Sequence, residues 1–326
     1  MNQFASGPVL LTGGSGFIGS HVRRLLQSRG TPVRVLAHHA DADSDEVVWG
    51  NLADPASLRG ICAGVTTVVH TASVINGSEE ACRTVNERGT AALVAEARRA
   101  GVRRLVYVST AAVYGDGVHQ GIAENAVAPE PVSPTSRSRL MAESSVLAAG
   151  GTVLRPMFVY GAGDRWFVPA VAELARRLSA RLAGGRARLS LISVHALAEA
   201  VCAVARLPTA RLEGATLHAA HPAPTTLAEI LDVLVEEALV PTLADEIGYE
   251  QAVAELGQGM SRRLGLLGFD HYYDSARLWQ AVDVSAGPGF LETYPHCAQW
   301  YREVISAALP KPASGPHAVH RPGPVR

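Results

Sequence analysis

Three glycines at three-residue intervals follow a short apolar segment near the start of this 326-residue chain. Gly13 and Gly16 lie between a predicted strand over 8–12 and a helical pattern over 17–29, and Gly19 lies in the first turn of that helix. In such a turn the first glycine permits the tight bend, and the second lets backbone N–H groups approach a pyrophosphate. The third lets helix and strand pack closely. Because the first turn of a helix favours anions, the spacing predicts a dinucleotide site, with a plain tight turn as the alternative.

Short apolar strands alternate with helices through the first half of the chain. Further strands are predicted over 32–37, 47–49, 66–70, 104–109 and 152–155, and further helices over 57–62, 79–100 and 135–149. This alternation is typical of a parallel sheet covered on both faces. It predicts an α/β fold, a Rossmann doubly wound parallel sheet, over residues 1–155, to which later strands return.

The pattern is looser in the second half, where residues 156–309 mainly resemble the smaller C-terminal substrate-binding lobe of a two-lobed enzyme. Helices are expected near 168–182, 196–205, 227–238 and 292–308, and strands over 188–194 and 216–219. Residues 310–326 are rich in Pro and Gly, which predicts a flexible tail.

Composition excludes several classes of protein. The net charge of −1 gives no reason to expect a nucleic-acid partner. No apolar segment is long enough to span a membrane, and we expect a soluble, cytoplasmic protein. The four cysteines form no C-x-x-C pair, so neither a metal site nor a disulfide framework is expected, and buried thiols are predicted. They are Cys62, Cys82, Cys202 and Cys297.

The end of the second predicted strand bears on the choice of cofactor. A free ribose 2′-hydroxyl usually meets an Asp or Glu at this point, but here Ala37 is followed by His38 and His39. With Arg34 nearby, this favours the 2′-phosphate of NADP(H), and NAD remains open. The alternative is that both histidines are surface residues of a loop.

Several segments together resemble the extended short-chain dehydrogenase/reductase family, over nearly the whole chain. They are Thr12–Gly19, Asn51–Leu52, Val69–Ala72, Val85–Thr90, Val108–Gly115 and Leu154–Gly161. The resemblance implies a nicotinamide dinucleotide and, as is common in the family, a homodimer. It implies these cofactor-binding residues: Gly13, Ser15, Gly16, Phe17, Ile18, Gly19, His38, Asn51, Leu52, Thr71, Ala72, Ser73, Arg139, Pro156 and Phe158.

The chain departs from this family at its proton donor. The family's Tyr-x-x-x-Lys pair aligns in frame with Thr135 and Arg139, and the chain's only lysine is Lys311. An aliphatic alcohol is a very weak acid, and a guanidinium does not deprotonate in proteins. Arg139 is still expected to bond the nicotinamide ribose and to supply positive potential, the alternative being a helix-surface arginine.

Five residues are the catalytic candidates: Thr110, Ser109, Tyr114, Thr135 and Arg139. We expect the Thr110 hydroxyl, with Ser109 second, to position a carbonyl group, and the proton to come from water, Tyr114 or a phenol of the substrate itself. His119, Glu124, Asp164 and His195 are weaker candidates near the pocket.

The sequence leaves three functions open. The first is an NADPH-dependent ketoreductase acting on a small-molecule aromatic ketone, because the departure resembles atypical reductases of aromatic polyketide antibiotic pathways of the angucyclinone type. The second is a non-catalytic NADP-binding sensor or scaffold, which would keep the glycine loop and lose the acid. The third is a nucleotide-sugar epimerase or dehydratase, for which the base is missing.

Overall fold

A computed structural model describes residues 7–38 and 46–307 of the chain. The predicted tail over 310–326 and His39 lie outside the described residues. The strands are β1 (Val9–Thr12), β2 (Val33–Ala37), β3 (Val47–Trp49), β4 (Thr67–His70), β5 (Arg104–Val108), β6 (His119–Ile122), β7 (Thr152–Arg155), β8 (Phe158–Tyr160), β9 (Arg181–Leu182), β10 (Arg188–Leu189), β11 (Leu191–Ser193), β12 (Thr216–His218), β13 (Thr225–Thr226), β14 (Glu246–Ile247) and β15 (His271–Tyr273).

The helices follow the same chain order. They are α1 (Phe17–Ser28), α2 (Glu79–Cys82), α3 (Thr90–Arg99), α4 (Pro134–Ala148), α5 (Val168–Leu178), α6 (Val194–Arg206), α7 (Leu227–Glu236), α8 (Tyr249–Leu256), α9 (Ser261–Gly268), α10 (Ala276–Ala281), α11 (Phe290–Thr293) and α12 (Ala298–Ala307). A π-helical segment, Arg83–Gly89, joins α2 to α3.

The main sheet has seven strands in the order β12-β7-β5-β4-β1-β2-β3. Every pair in it is parallel. Strands β1, β4, β5 and β7 are buried along their whole length, as expected where helices cover both faces of a sheet. The predicted α/β doubly wound fold is confirmed.

The strand order reverses between β1 and β4, where Thr12 pairs with His70. In doubly wound sheets a ligand binds in the crevice beyond the carboxyl ends of the strands at this reversal. The topology therefore places the end of β1, with the glycine turn, beside the ends of β4 and β5.

Each face of the sheet has its own apolar core. Helices α1, α6 and α10 cover one face, where Val22, Leu197 and Leu278 are buried. Helices α3 and α4 cover the other, where Leu93 and Val146 are buried. The second half of the chain thus supplies β12 to the sheet, and α6 and α10 to the face that α1 also covers.

The second lobe has a separate core built by α5, α7, α8, α9 and α12. Its sheet has four strands in the order β13-β10-β15-β6. Strand β6 follows β5 in the chain, so a segment of the predicted first domain crosses into the second lobe and returns. The β15–β6 pair starts with His271 opposite His119.

Four predicted elements differ in the structure. The helix expected over 57–62 is a 3-10 turn, Pro55–Leu58, in which Leu58 is the buried residue. The strand expected over 188–194 divides at Ser190 into β10 and β11, which belong to different sheets. The helix expected over 292–308 is interrupted by a 3-10 turn that contains a proline, and that over 79–100 contains the π-helical segment.

Within the described ranges, no helix combines the length and apolarity that crossing a bilayer requires. All four cysteines are buried and unpaired, as predicted.

Candidate functional site

The turn between β1 and α1 has the shape of a phosphate cradle. Gly13 has φ +72°, a conformation that side chains other than glycine rarely adopt. A Cβ on Gly19 would lie 2.1 Å from the Gly13 carbonyl oxygen, so the helix could not approach the turn. A Cβ on Gly16 would meet only that oxygen, at 3.3 Å. Glycine at positions 13 and 19 is therefore required by the fold, whereas at Gly16 it keeps space open.

No side chain of the described residues caps the start of α1. Gly16 caps the helix without a side-chain hydrogen bond, and the first turn carries no acidic residue. The N–H groups of Phe17 and Ile18 lie in this first turn, next to the exposed Ser15. Unpaired N–H groups at a positive helix end suit a pyrophosphate, so the residues present fit a dinucleotide.

A buried chain of hydrogen bonds joins the end of β1, where the glycine turn begins, to β4 and α3. The Thr12 hydroxyl lies 2.6 Å from His70 Nδ1, and His70 Nε2 lies 2.8 Å from the Thr90 hydroxyl. Burial, with a further contribution from Arg139, lowers the pKa of His70 to about 3. A neutral ring thus joins β1, β4 and α3 without placing a charge beneath the cradle.

The segment after β4 lines the same crevice. The Thr71 hydroxyl donates to the Thr12 carbonyl oxygen at 2.7 Å, and the Ala72 N–H donates to the Thr12 hydroxyl at 3.3 Å. Thr71, Ala72 and Ser73 are half-buried beside the turn. A Cβ on Gly13 would lie 2.7 Å from the Ala72 nitrogen, which shows how closely the two segments approach.

The other end of the crevice lies beyond β2 and β3. His38 directly follows β2 and is exposed. Asn51 is exposed, and its Oδ1 accepts a hydrogen bond from the Ala53 N–H at 2.9 Å. Its amide NH₂ group has no hydrogen-bond partner among the described residues and could donate to a ligand. Leu52 is buried, and its backbone packs against Gly89.

The expectation for Arg34 is wrong. Its guanidinium donates to the Ala63 carbonyl oxygen at 2.8 Å, in the loop that precedes β4. That loop lies at the amino ends of the parallel strands, opposite to the cofactor crevice. Of the two basic residues expected near the 2′-phosphate and described by the structure, only His38 therefore lies at the crevice end of β2.

Thr110 lies at the carboxyl end of β5 and begins a 3-10 turn, Ala111–Tyr114. Its Oγ1 accepts a hydrogen bond from the Ala112 N–H at 3.1 Å. No described residue accepts the proton of this half-buried hydroxyl. The turn thus fixes the Thr110 oxygen and leaves its O–H to donate into the crevice.

Ser109 is engaged inside the protein instead. Its hydroxyl donates to the Glu143 carboxylate, which is also paired with Arg155. Arg155 in turn donates to the Tyr114 hydroxyl at 2.8 Å, and His218 Nε2 lies 2.7 Å from the same hydroxyl. The positions of Ser109 and Tyr114 favour a structural network over contact with a ligand.

Thr135 lies at the start of α4, against the loop that follows β4. Its Oγ1 accepts a hydrogen bond from the Asn76 N–H at 3.3 Å and lies 3.7 Å from the Cys82 sulfur. Asn76 has φ +58°, a conformation that asparagine tolerates better than most residues. The Thr135 hydroxyl therefore holds this loop in place.

Arg139 lies one turn further along α4 and faces the end of β5. Its Nη2 donates to the Val108 carbonyl oxygen at 2.5 Å, and its guanidinium carbon is 6.0 Å from the Tyr107 ring centre. Its Nε is buried and has no hydrogen-bond partner among the described residues. An unpartnered donor beside the crevice suits a ribose hydroxyl.

The segment after β7 borders the crevice from the other side. Pro156 is buried, and its carbonyl oxygen accepts a hydrogen bond from the Ala111 N–H at 2.8 Å. The half-buried Phe158 ring stacks on Phe167 with centroids 4.5 Å apart, so this side chain packs into the second lobe. Further along, a Cβ on Gly163 would lie 2.8 Å from the Phe17 ring.

The weaker candidates have structural partners or lie on the surface. Asp164 is buried and accepts hydrogen bonds from the backbone N–H groups that start α5. His119 Nδ1 lies 3.2 Å from the Tyr273 hydroxyl, and Glu124 accepts from the His218 N–H at 3.1 Å. His195 is exposed on α6.

Two contributors were missing from the predicted site. Asn86, in the π-helical segment, exchanges hydrogen bonds with the backbone of Val74 and donates to Ser138. It thereby fixes the loop beside Thr135. The Val85–Thr90 segment, which resembles a motif of the family, includes Asn86 and could have indicated its role. Nothing local in the sequence indicates the other contributor, the backbone N–H of Asn76.

Known proteins resemble this chain along most of its length. The 2-alkyl-3-oxoalkanoate reductase of Stenotrophomonas maltophilia (strain K279a) is 30% identical over 262 residues, which cover 75% of this chain and 79% of that protein. The 4-hydroxy-2-methyl-3-oxo-4-farnesyl-3,4-dihydroquinoline-1-oxide ketoreductase of Stigmatella aurantiaca is 28% identical over 272 residues, covering 78% and 80%.

Solved structures share the fold. The structure of MoeE5 in complex with UDP-glucose and NAD has a TM-score of 0.72 and 23% identity, and the match covers 92% of this chain and 100% of that one. A family model described as the NAD dependent epimerase/dehydratase family matches residues 9–219, more than half of the chain. This chain therefore belongs to the NAD dependent epimerase/dehydratase family, a group of extended short-chain dehydrogenases/reductases.

Proposed function

We propose that this protein is an NADPH-dependent ketoreductase that reduces a ketone of an aromatic polyketide, of the angucyclinone type, to a secondary alcohol. The names of two relatives, a reductase of oxoalkanoates and a ketoreductase of a ring ketone, support the reaction class. This chain lacks Tyr-x-x-x-Lys, and in this respect it resembles the angucyclinone ketoreductase of simocyclinone biosynthesis. That resemblance supports the substrate class.

The observation that carries this proposal is the Thr110 hydroxyl. Its oxygen accepts a hydrogen bond from the Ala112 N–H at 3.1 Å. No described residue accepts its proton, so the hydroxyl can donate to a carbonyl oxygen at the end of β5. The reduced cofactor, when bound, supplies a hydride to the carbonyl carbon. The glycine turn and Arg139 would hold its pyrophosphate and ribose.

The forming alkoxide needs a proton that Thr135 and Arg139 do not supply. We infer that a phenol on the substrate, next to the ketone, donates this proton and regains one from solvent afterwards. General acid catalysis contributes about 10²–10⁴-fold, while orientation of bound reactants can contribute about 7–11 kcal/mol. A well-oriented substrate that carries its own acid can therefore react without the tyrosine.

The preference for NADPH over NADH rests on the end of β2. An acidic residue there would repel a 2′-phosphate, and His38 stands in its place. NAD remains the alternative cofactor, since NAD is named with solved members of the same fold.

The experiment pairs two substrates with two variants. The protein is incubated with NADPH and a polycyclic aromatic ketone that carries a neighbouring phenol, or with the methyl ether of that phenol, and NADPH oxidation and alcohol product are measured. We expect the methyl ether to react at least about tenfold more slowly. Thr110→Val should lower the rate on the phenolic ketone, and Thr110→Ser should retain most of it.

Equal rates with the phenol and its methyl ether would contradict proton donation by the substrate. Binding of NADPH without oxidation of NADPH by any ketone would favour the second candidate, a sensor or scaffold, which the loss of the tyrosine and lysine supports. An epimerase or dehydratase is less well supported, because the Thr135 hydroxyl already accepts the Asn76 N–H and no lysine activates it.

A further inference from the structure

A cavity of about 330 Å³ lies in the second lobe, away from the glycine turn. The 116–118 loop forms one wall, and helices α8 and α9 with the residues that follow them form the other. Its apolar lining comes from Val118, Tyr249, Leu266 and Phe269. This volume is at the lower end of the range that small-molecule sites occupy.

Two of the apolar side chains at this cavity are exposed. Val118 is 58% exposed and Phe269 is 39% exposed, although both are large and apolar. The Tyr249 and Phe269 rings lie 5.0 Å apart and form an aromatic surface on one side. Exposed apolar residues gathered around a cavity are typical of a binding site, since a ligand would remove them from water.

The wall of the cavity also contains an unsatisfied acceptor. His271 is only 2% exposed, and its Nδ1 lies 3.0 Å from the Phe269 carbonyl oxygen. A carbonyl oxygen can only accept, so Nδ1 carries the hydrogen and Nε2 presents a lone pair. No described residue donates to Nε2. Burial, which lowers the pKa of His271, keeps the ring neutral.

The charged groups at the cavity cancel one another. Arg262 Nε donates to Asp116 Oδ1 at 2.9 Å, which joins α9 to the 116–118 loop. The neighbouring Asp270 is paired with Arg188 at 2.7 Å. As far as the described residues show, the cavity therefore has aromatic and aliphatic walls, one buried acceptor and no uncompensated charge, which fits a neutral ligand.

We propose that this cavity binds a neutral aromatic alcohol. Its rings would pack against Tyr249, Leu266 and Phe269. Its hydroxyl would donate to His271 Nε2, which lies just behind the accessible surface of the cavity and which a small movement of the wall would bring within reach. Satisfying a buried acceptor recovers about 1–3 kcal/mol, which is roughly a 5- to 150-fold gain in affinity.

Such an alcohol has two sources. The His119 ring lies 5.5 Å from the His271 ring and 5.9 Å from the Tyr114 ring, which belongs to the turn that Thr110 begins. The ligand is therefore either a distal ring of the ketone that this protein reduces or a separate molecule of the same chemistry.

Binding is tested on the full chain by calorimetric titration with 1-naphthol and with 1-methoxynaphthalene, which lacks the donor. We expect 1-naphthol to bind about tenfold or more tightly than its methyl ether. His271→Phe should remove this difference while keeping an aromatic ring in the wall. Leu266→Trp should abolish binding by filling the cavity, and Val118→Trp, at an exposed position that tolerates change, tests the same point if the first variant does not fold.

Equal affinities for the two probes in the unaltered protein, or unchanged binding in Leu266→Trp and Val118→Trp, would overturn the proposal. Where a ketone is reduced, competitive inhibition by 1-naphthol identifies a subsite for the substrate, and non-competitive inhibition identifies a separate ligand. Both outcomes support the site. The titration does not depend on turnover, so failure of the proposed reaction leaves this test intact.

Discussion

Replacing Gly16 with alanine separates binding of the dinucleotide from folding. Gly16 has φ −77° and ψ 175°, which any residue adopts, and an added Cβ would meet only the Gly13 carbonyl oxygen at 3.3 Å. The free energy of unfolding without cofactor should therefore fall by less than about 1 kcal/mol. The methyl group would still occupy the space at the start of α1.

The expected loss of affinity follows from the bonds at this helix end. A hydrogen bond to a charged group contributes about 1.5–3 kcal/mol, so displacing one phosphate contact lowers NADPH affinity roughly 10- to 150-fold. Affinity is measured by fluorescence titration of NADPH, and stability by urea unfolding of the cofactor-free protein.

Gly19→Ala is the matched control. Its Cβ would lie 2.1 Å from the Gly13 oxygen and 2.6 Å from the Thr71 hydroxyl, so α1 must shift away from β1. Such overpacking costs about 1–3 kcal/mol of stability. NADPH affinity in Gly16→Ala equal to that of the unaltered protein would refute the cradle. A loss of stability in Gly16→Ala as large as in Gly19→Ala would refute the distinction between the two glycines.

Three further predictions concern stability and cofactor choice. Glu143→Gln leaves the buried Arg155 without its ion pair, whose side chains are 6% and 1% exposed, and urea unfolding should show a loss of about 3–5 kcal/mol. A loss below about 1 kcal/mol would contradict a strongly coupled pair. His38→Asp should shift the ratio of NADPH to NADH affinity toward NADH by about tenfold, and an unchanged ratio in fluorescence titration would argue against contact with the 2′-phosphate. The pKa of His70 falls from 6.5 to about 3 on folding, so its contribution is complete above pH 6.5 and is lost as the pH falls toward 3. Urea unfolding at both pH values should show that lowering the pH from 6.5 to 5 costs the unaltered protein about 2 kcal/mol more than it costs His70→Asn, since other buried histidines contribute equally in both.

The parts of the fold that depend on neighbours in sequence were predictable. The apolar strands and the glycine turn follow from local patterns, because β1, β4 and β5 are buried along their whole length. The second lobe was less readable, since its strands have two to four residues and its sheet pairs segments far apart in the chain. Strand β6, for example, pairs with β15 across about 150 residues, and no local pattern specifies that contact.

The candidate site shows the same division. The spacing of the motifs was enough to align Thr135 and Arg139 with the family's tyrosine and lysine. The partners of their side chains were not, because a hydrogen bond such as that from the Asn76 N–H joins segments on different elements. Arg34 was misplaced for the related reason that strand position alone does not tell which end of the sheet a long side chain reaches.

The residue that replaces the family's tyrosine, Thr135, is integrated into the structure around it. The Asn76 N–H and the Cys82 sulfur approach the Thr135 hydroxyl, and Asn86 fixes the adjoining backbone at Val74. A tyrosine at position 135 would carry its hydroxyl too far from the backbone to make these contacts. Arg139 is held by the Val108 carbonyl oxygen, so it supplies charge without a transferable proton. With Tyr114 bonded inside the protein, the side chains around Thr110 can orient a carbonyl group, and its protonation is left to groups that arrive with the substrate or to water.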